Sequence, residues 1–253
     1  MKIKKILAAA ALIGFSTIAV SCGSTSDQSS ETPQTQSSSE AVSSNSYKVR
    51  VLYPDGTPAN GLKIQWCTVS GTCFANMSTT DSSGYATTES ADILNSTSDL
   101  NVHIQGVPTG YTYNPFTLVQ NKDNRDGVIN LIALNSNDLV AGASFDEATE
   151  VSLGYYNTKP KKDGGYVYFK VKFAETGTYE IESYADSEYN TKISLRNSSN
   201  KQVASDDDSG NANNFKFVFD IDNETFKTDT YYTFIIQQNA NVQTTFTFSI
   251  LKK

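Results

Sequence analysis

Three consecutive aspartates, Asp206, Asp207 and Asp208, concentrate negative charge in one short segment of the sequence. With Asp186 or Glu188 from a neighbouring loop, these carboxylates would supply the about six to eight oxygen ligands that Ca²⁺ takes, although the spacing is not that of an EF-hand. The alternative is an acidic turn, in which aspartate side chains cap backbone amides and face water. The sequence therefore leaves Ca²⁺ as a candidate cofactor and indicates no other.

Tyrosines form a second group with binding chemistry. Aromatic faces beside Asn and Asp side chains are a means by which β-sandwiches hold sugars or protein ligands. The alternative is that these rings line strands only because tyrosine packs well on a pleated surface. The candidates for exposed rings are Tyr155, Tyr156, Tyr166, Tyr168, Tyr184 and Tyr189, and the first four of these are the ligand-binding candidates.

Catalytic chemistry has little support in the sequence. His103 is the only histidine and has no adjacent Ser or Cys nucleophile motif, which argues against a Ser-His-Asp mechanism. Metalloprotease, nucleophile-elbow, dinucleotide-binding and P-loop patterns are also missing. Glu180 and Glu182 share one strand face and are paired carboxylates of the kind that glycoside hydrolysis uses, but a solvated face opposite Tyr179 and Ile181 is the simpler interpretation. We expect a protein that is not an enzyme.

Composition predicts the kind of fold that positions these residues. The 253-residue chain has a net charge of −7, only 19% charged residues, and far more Tyr (14) and Phe (13) than Met (2) or Trp (1). A nucleic-acid binder would need a basic stripe, and a helical bundle would need more Leu, Ala, Glu and Lys. The aromatic content favours β structure.

The N-terminus has the pattern of an export signal. Lys2, Lys4 and Lys5 precede an apolar stretch from Ile6 to Val20, which at fifteen residues is shorter than the about 20 that a transmembrane helix needs. We therefore interpret residues 1–21 as a signal peptide that is excluded from the fold.

The segment that ends this signal, Ala19-Val20-Ser21-Cys22, resembles the lipobox of bacterial lipoproteins, with Ala19 where the family usually has Leu. The resemblance implies a diacylglycerol on Cys22 and a lipid-anchored protein on the extracytoplasmic side of a bacterial membrane. Cysteine counting agrees, because lipidation removes the odd one of three cysteines in an exported chain. Ordinary signal-peptidase cleavage before a free Cys22 is the alternative.

Residues 22–46 form a polar tether in this interpretation. The segment is dominated by Ser, Thr and Gln and has too few apolar residues to offset the entropy of ordering, so we expect it to be disordered. A flexible chain of this length spans roughly 25 to 30 Å. Removing residues 1–21, with their three lysines and no acids, brings the net charge from −7 to −10. We expect neither nucleic-acid binding nor attraction to an anionic lipid face.

Cys67 and Cys73 are predicted to form a disulfide. If a hairpin folds about Ser70, the two cysteines lie directly across from each other, at a distance that a disulfide bridges. Export favours the oxidised form, and closing this short loop contributes roughly 2 kcal/mol. A redox or metal pair would need a C-x-x-C spacing or further ligands, which the sequence lacks.

Residues 47–135 alternate between apolar and polar positions, as half-buried strands do, with Val49 and Val51 on one inward face and Leu62, Ile64 and Trp66 on another. Turns separate the strands at Pro54-Asp55-Gly56-Thr57-Pro58, at Thr80-Asp81 with Gly84, and at Pro108 with Gly110-Tyr111. This order of elements resembles the prealbumin-like, carboxypeptidase-regulatory-like β-sandwich repeats of bacterial surface proteins. The resemblance implies a structural or binding module.

Residues 138–253 repeat the alternation with more aromatic residues, which predicts a second sandwich core. The residues predicted to share an apolar strand face are Val167, Phe169, Val171 and Phe173; Phe215, Phe217, Phe219 and Ile221; Tyr232, Phe234 and Ile236; and Phe246, Phe248 and Ile250. The order Tyr166–Val171, Gly177–Ile181, Ile193–Leu195, Val203–Gly210, Thr230–Tyr232 and Phe246–Phe248 resembles the bacterial pre-peptidase C-terminal domain. That resemblance implies a jelly-roll-like β-sandwich with an accessory binding or secretion role, and calcium binding as in some members of the family.

The sequence thus predicts an all-β protein with two tandem β-sandwiches, prealbumin-like and then jelly-roll-like, after a signal peptide and a disordered linker. The leading functional hypothesis is a non-catalytic binding or adhesion protein for an extracellular polysaccharide or a protein ligand. A structural spacer or envelope-assembly lipoprotein is the alternative, and a glycan-processing enzyme is a distant third.

Overall fold

The structure, a computed structural model, describes residues 45–160, 165–185, 189–238 and 244–253. The signal peptide, Cys22, the tether up to residue 44, Asp186 and Glu188 lie outside the described residues. Within the described ranges, no helix has the length and hydrophobicity that a bilayer span requires.

The regular secondary structure in the first half of the described chain consists of strands and one short helix. Its elements are β1 (Tyr47–Leu52), β2 (Lys63–Thr68), β3 (Cys73–Thr79), β4 (Tyr85–Thr88), α1 (Ala91–Leu94), β5 (Leu100–Gln105), β6 (Tyr111–Thr112), β7 (Val119–Gln120), β8 (Asp126–Asn130) and β9 (Ile132–Ala133).

These strands form two main sheets, in the orders β4-β1-β8 and β3-β2-β5-β7, with β6 and β9 as a separate pair. The alternating residues predicted to face inward, such as Val49 and Val51 in β1 and Ile64 and Trp66 in β2, are buried between the sheets. The indole Nε1 of Trp66 donates to Gln120 Oε1 at 2.8 Å, which satisfies the one polar atom of the largest side chain in this core.

The second half contains ten strands among the described residues. They are β10 (Ser136–Leu139), β11 (Thr149–Val151), β12 (Gly154–Thr158), β13 (Tyr166–Lys172), β14 (Gly177–Tyr184), β15 (Thr191–Arg196), β16 (Gln202–Asp206), β17 (Lys216–Ile221), β18 (Tyr231–Gln238) and β19 (Phe246–Lys252).

Two five-stranded sheets result, in the orders β10-β12-β19-β14-β17 and β11-β13-β18-β15-β16. Phe248 of the first sheet lies at the centre of the core, with its ring centroid 4.9 Å from that of Phe169 and 6.0 Å from that of Phe234, both from the second sheet. The apolar faces predicted for β13, β18 and β19 are all buried here, so the all-β sandwich fold class is confirmed.

The buried hydrophobic residues divide into two clusters, one between Tyr47 and Leu131 and the other between Ala141 and Ile250. Strand pairing changes partners between them, because β9 pairs with β6 whereas β10 pairs with β12. Direct contacts also join the two halves, including a 3.1 Å hydrogen bond between the hydroxyls of Thr112 and Thr247. The domain limits 47–135 and 138–253 remain a prediction.

Candidate binding groove

The candidate site lies on the outer face of the sheet β11-β13-β18-β15-β16. Because Val167, Phe169 and Val171 point into the core, the alternate residues of β13 point outward. Strand register then aligns these outward side chains in rows across the sheet. One row joins Tyr166, Gln237 and Lys192; the next joins Tyr168, Ile235, Ser194 and Ser205; a third joins Lys170, Thr233, Arg196 and Gln202.

The first two rows and part of the third form an open groove of about 900 Å³. Tyr166 is 48% exposed and Tyr168 is half-buried, so their rings form one side of this groove. The acidic loop, Asp206–Asp208 at the end of β16, lies on the other side. The remaining lining is mostly polar: Lys192, Ile193, Ser194, Arg196, Gln202, Ser205, Asp206, Asp207, Asp208, Ser209, Ile235 and Gln237.

Two separate predictions from the sequence therefore meet in one place. Tyr166 and Tyr168 were predicted as ligand-binding rings and Asp206–Asp208 as metal ligands, and all five residues line the same groove. Sequence analysis missed Lys192, Ser194 and Arg196. Their signal was present in β15, where polar residues alternate with the buried Ile193 and Leu195.

The acidic loop is held by hydrogen bonds within the protein. The Asp206 carboxylate accepts bonds from Ser209 Oγ at 2.6 Å and from the backbone N–H of Lys216 at 2.9 Å, which is the capping role of an acidic turn. Asp207 forms an ion pair with Lys192, and this hydrogen bond raises the pKa of the Lys192 ammonium.

These contacts bear on how well the loop fits calcium. Both Asp206 oxygens and one Asp207 oxygen already accept hydrogen bonds from protein donors. Among the described residues, no group of three or more His, Cys, Asp or Glu side chains is arranged to hold a metal ion. The described carboxylates do not by themselves make a calcium cage, and the predicted contributors Asp186 and Glu188 lie outside the described residues.

Arg196 lies at the opposite end of β15 from Lys192. Its Nη1 donates to the backbone carbonyl of Asn200 at 3.1 Å and to the side-chain oxygen of the same residue at 3.4 Å. Its Nε is buried and has no hydrogen-bond partner. The same is true of Asp207 Oδ1, which belongs to another residue that lines the groove. A buried polar atom without a partner costs free energy in the folded protein.

Tyr155 and Tyr156 lie in the other sheet of this sandwich, away from the groove. Tyr156 is only 5% exposed, and its ring stacks on Phe248 at 5.4 Å, so the prediction of an exposed ring was wrong for this residue. Adjacent residues of β12 point to opposite faces, which directs Tyr156 into the core and Tyr155 outward. Tyr155 is half-buried against Tyr184, and this burial raises its pKa.

Glu180 and Glu182 are also not solvated, contrary to the sequence interpretation. They are 3% and 4% exposed on β14, where Lys216 Nζ lies 3.1 Å from a Glu180 oxygen and 3.2 Å from a Glu182 oxygen. Lys253 Nζ lies 3.0 Å from the other Glu180 oxygen. Burial raises the pKa of Glu180, but the hydrogen bonds from Lys253 and Lys216 outweigh it and hold that pKa below its usual value.

The chemistry of this second cluster is that of an ion-pair network. One ammonium bridges the two carboxylates, and Tyr184 donates a 3.2 Å hydrogen bond to Glu182. Both acids are on the sheet that does not carry the groove. The arrangement therefore gives no support to a glycosidase pair acting in the groove.

The predicted disulfide is confirmed. Cys67 and Cys73 are bonded, and they are direct register partners on β2 and β3. The hairpin turns over Thr68–Thr72, where Thr68 N–H donates to Thr72 C=O and Gly71 N–H donates to Thr68 C=O. This bond lies in the first sandwich, whereas the groove lies in the second.

Comparison with known proteins gives likenesses of fold only. No family model matches the chain, and no curated protein matches it. Among solved structures, it is similar to the pre-peptidase C-terminal domain of a collagenase from Bacillus anthracis, with 12% identity and a TM-score of 0.34 over 41% of this chain and 93% of that one.

Pilin subunits are also similar. The major pilin BcpA of Bacillus cereus is 10% identical, with a TM-score of 0.29 over 77% of this chain and 58% of that one. The shaft pilin SpaA of Lactobacillus rhamnosus GG is 12% identical, with a TM-score of 0.25 over 79% of this chain and 91% of that one. At these levels of similarity, we draw nothing about function from the likenesses.

Proposed function

We propose that this protein is a lipid-anchored, non-catalytic polysaccharide-binding protein of the bacterial surface, and that the groove holds the polymer. The observation that carries the proposal is the meeting of Tyr166 and Tyr168 with a row of polar side chains in one open groove. Tyrosine rings offer apolar faces to sugar rings, and the surrounding polar groups offer donors and acceptors to sugar hydroxyls.

The polarity of the groove favours a polysaccharide over a protein ligand. Protein interfaces have a desolvated, largely apolar centre that is depleted of charged residues. The groove instead has Lys192, Arg196 and three aspartates along its length, with Ile193 and Ile235 as its aliphatic residues. A polymer of hydroxyl-rich units makes use of such a surface, and the open shape lets a chain pass through without a free end.

Anchoring is the second part of the proposal. A lipid on Cys22 would hold the chain at the membrane, and the polar tether of residues 22–46 would let the folded head reach a polymer outside the lipid headgroups. Radiolabelled fatty acid incorporated by the bacterial host should label the intact protein and leave a Cys22→Ser variant unlabelled. Equal labelling of both would remove the lipid from the proposal.

The binding test uses the full mature chain in detergent on an array of polysaccharides and matrix proteins, once with Ca²⁺ and once with chelator. We expect binding to at least one polysaccharide, weakened about fivefold by Tyr168→Ala and by Tyr166→Ala, because each removes a stacking surface worth about 1 kcal/mol. Tyr85→Ala, a half-buried tyrosine of the first sandwich, is the matched control and should leave binding unchanged.

The remaining outcomes separate the alternatives. A blank array in both buffers would sink the polymer-binding proposal and favour a structural spacer. Binding to matrix proteins alone would replace the polysaccharide with a protein ligand. Loss of binding in chelator would support Ca²⁺ near Asp206–Asp208, and binding that is indifferent to chelator would argue against it.

A further inference from the structure

Some cations along the groove are paired with an acidic side chain and others are not, and this distribution of charge favours one class of polymer. At one end, the ammonium of Lys192 is neutralised by Asp207 and has Asp208 close by. At the other end, Arg196 and Lys170 lie on either side of Thr233 in a single cross-strand row. We infer that the polysaccharide carries carboxylates, and that Arg196 and Lys170 bind the carboxylate of an acidic sugar. This inference rests on the proposed function of the same groove.

Neither cation has an acidic partner among the described residues. The hydrogen bonds of Arg196 go to Asn200, which is uncharged, and its Nε has none. The Lys170 ammonium lies 5.3 Å from the centre of the Tyr231 ring. The acid nearest to Lys170 by register is Glu150, whose carboxylate accepts a 2.7 Å hydrogen bond from Tyr231 and forms no ion pair with Lys170.

The Arg196 guanidinium offers one end to a ligand. Nη1 donates to Asn200 and Nε is shielded from solvent, so a ligand would reach the guanidinium at Nη2. A hydrogen bond between a guanidinium and a carboxylate is charge-assisted and is stronger than one to a neutral acceptor. A carboxylate at this position would give Arg196 the acidic partner that the described residues do not supply.

Spacing connects this end of the groove to the tyrosines. Tyr168 and Lys170 are two residues apart on β13, which corresponds to about 6.6 Å along the strand and is comparable to the length of a single sugar ring. A sugar stacked on Tyr168 therefore places the next unit of the chain over the row that holds Lys170 and Arg196. The acidic loop at the opposite end repels a carboxylate, so the charges also orient the chain.

The test compares polymers that differ only in charge. Oligosaccharides of polygalacturonate, alginate and hyaluronate are titrated into the full mature chain in detergent, each as the free acid and as its carboxyl methyl ester. We expect at least one acid to bind about tenfold more tightly than its ester at low salt, with the difference shrinking as salt screens the charges. Arg196→Gln and Lys170→Gln should each reduce the difference to less than about threefold.

Two control variants and one conservative variant make the test specific. Lys172→Gln removes a cation of the same strand that faces Asp229 at 3.9 Å, and Arg50→Gln removes an arginine of the first sandwich; both should keep the preference for the acid. Arg196→Lys keeps the charge but replaces the guanidinium with a more strongly hydrated ammonium, and it should retain only part of the preference. Circular dichroism verifies that each variant is folded. If Arg196→Gln does not fold, the acid-to-ester difference is measured on Lys170→Gln alone.

The outcomes distinguish this inference from the proposed function. Equal affinity for acid and ester, with binding still lost in Tyr168→Ala, would overturn the inference and leave the polysaccharide groove intact. Sulfated derivatives of neutral oligosaccharides that bind as tightly as the acids would overturn the assignment of a carboxylate ligand and indicate a general anion site. A preference for the acid that survives Arg196→Gln and Lys170→Gln would place recognition elsewhere and overturn the inference as well.

Discussion

Glu180 and Glu182 alternate along β14 as solvent-facing residues do, yet both are buried. Their burial depends on Lys216 from β17 and Lys253 from the end of the chain, whose ammonium groups lie over the carboxylates. Removing a charge from water is costly unless it is paired, and here two lysines offset two glutamates. We therefore expect these ion pairs to contribute to the free energy of unfolding of the second sandwich.

Glu180 should make the stability of the protein depend on pH. Its pKa is lowered in the folded protein, so its contribution is fully present at neutral pH and is lost as the pH falls from about 4.5, the unfolded value, through the lower folded value. Glu180→Gln should be less stable than the wild type at pH 7, and the difference should shrink at pH 3.

Urea unfolding at the two pH values measures this difference, with Glu89→Gln as a control at an exposed carboxylate. A Glu180→Gln variant with the same stability deficit at pH 3 as at pH 7 would contradict the prediction.

At the scale of single elements, the hairpin β2–β3 shows how a crosslink compensates for poor burial. Cys67 is buried beside Trp66, whereas β3 is exposed along most of its length and has little hydrophobic contact to hold it in place. Antiparallel pairing alone contributes modestly at a sheet edge. The Cys67–Cys73 bond ties the start of β3 to a strand that the core holds firmly.

Removing this disulfide should lower the free energy of unfolding by about 2 kcal/mol, the value expected for closing so short a loop. The double variant Cys67→Ala, Cys73→Ala is compared with the wild type in urea, with and without reductant. We expect the reduced wild type to approach the variant, and the variant to be insensitive to reductant. Coincident unfolding curves for all four samples would show that the crosslink does not contribute.

At the scale of the whole molecule, two hydrophobic cores share one compact unit in the part of the chain that the structure describes. The aromatic side chains of the second core interlock around Phe248, and the first core is built around Trp66. Hydrogen bonds join the two halves, such as that between the hydroxyls of Thr112 and Thr247 and that from Asn135 N–H to Tyr155 C=O. Polar contacts of this kind are typical of neighbouring units that keep separate cores.

Phe248→Ala should therefore destabilise the second core and spare the first. Loss of a buried phenylalanine costs about 3–5 kcal/mol. Trp66 is the only tryptophan, so its fluorescence follows the first core alone, while far-UV circular dichroism follows both. We expect Phe248→Ala to add an early transition in circular dichroism and to leave the Trp66 transition in place.

The control is Val218→Ala, at a position of β17 that is 50% exposed, which should cost less than about 0.5 kcal/mol. If Phe248→Ala shifted the fluorescence and circular dichroism transitions equally, the two halves would unfold as one cooperative unit and the domain boundary near residue 135 would lose its thermodynamic meaning.

Alternation in the sequence predicted which strand faces enter the core better than it predicted the exposure of individual side chains. Val167, Phe169 and Val171 are buried as expected, because one apolar face of a strand has only the core to pack against. The same rule could not assign Tyr156, since either of two adjacent tyrosines suits the inward face. Of the candidate site, Tyr166, Tyr168 and Asp206–Asp208 were identified from residue type, whereas Lys192 and Arg196 were recognised only once β15 was paired with β18.

The sequence by itself determined the all-β class, the strands with their apolar faces, and the disulfide, because each depends on residues close together along the chain. Only the tertiary structure decided that the tyrosines and the aspartates share a groove, and that Lys216 and Lys253 bury Glu180. The Glu180 contacts, for example, join residues 36 and 73 positions apart, and strand order and register bring them together. Strand order is decided by how the whole set of apolar faces packs together, which no local pattern specifies.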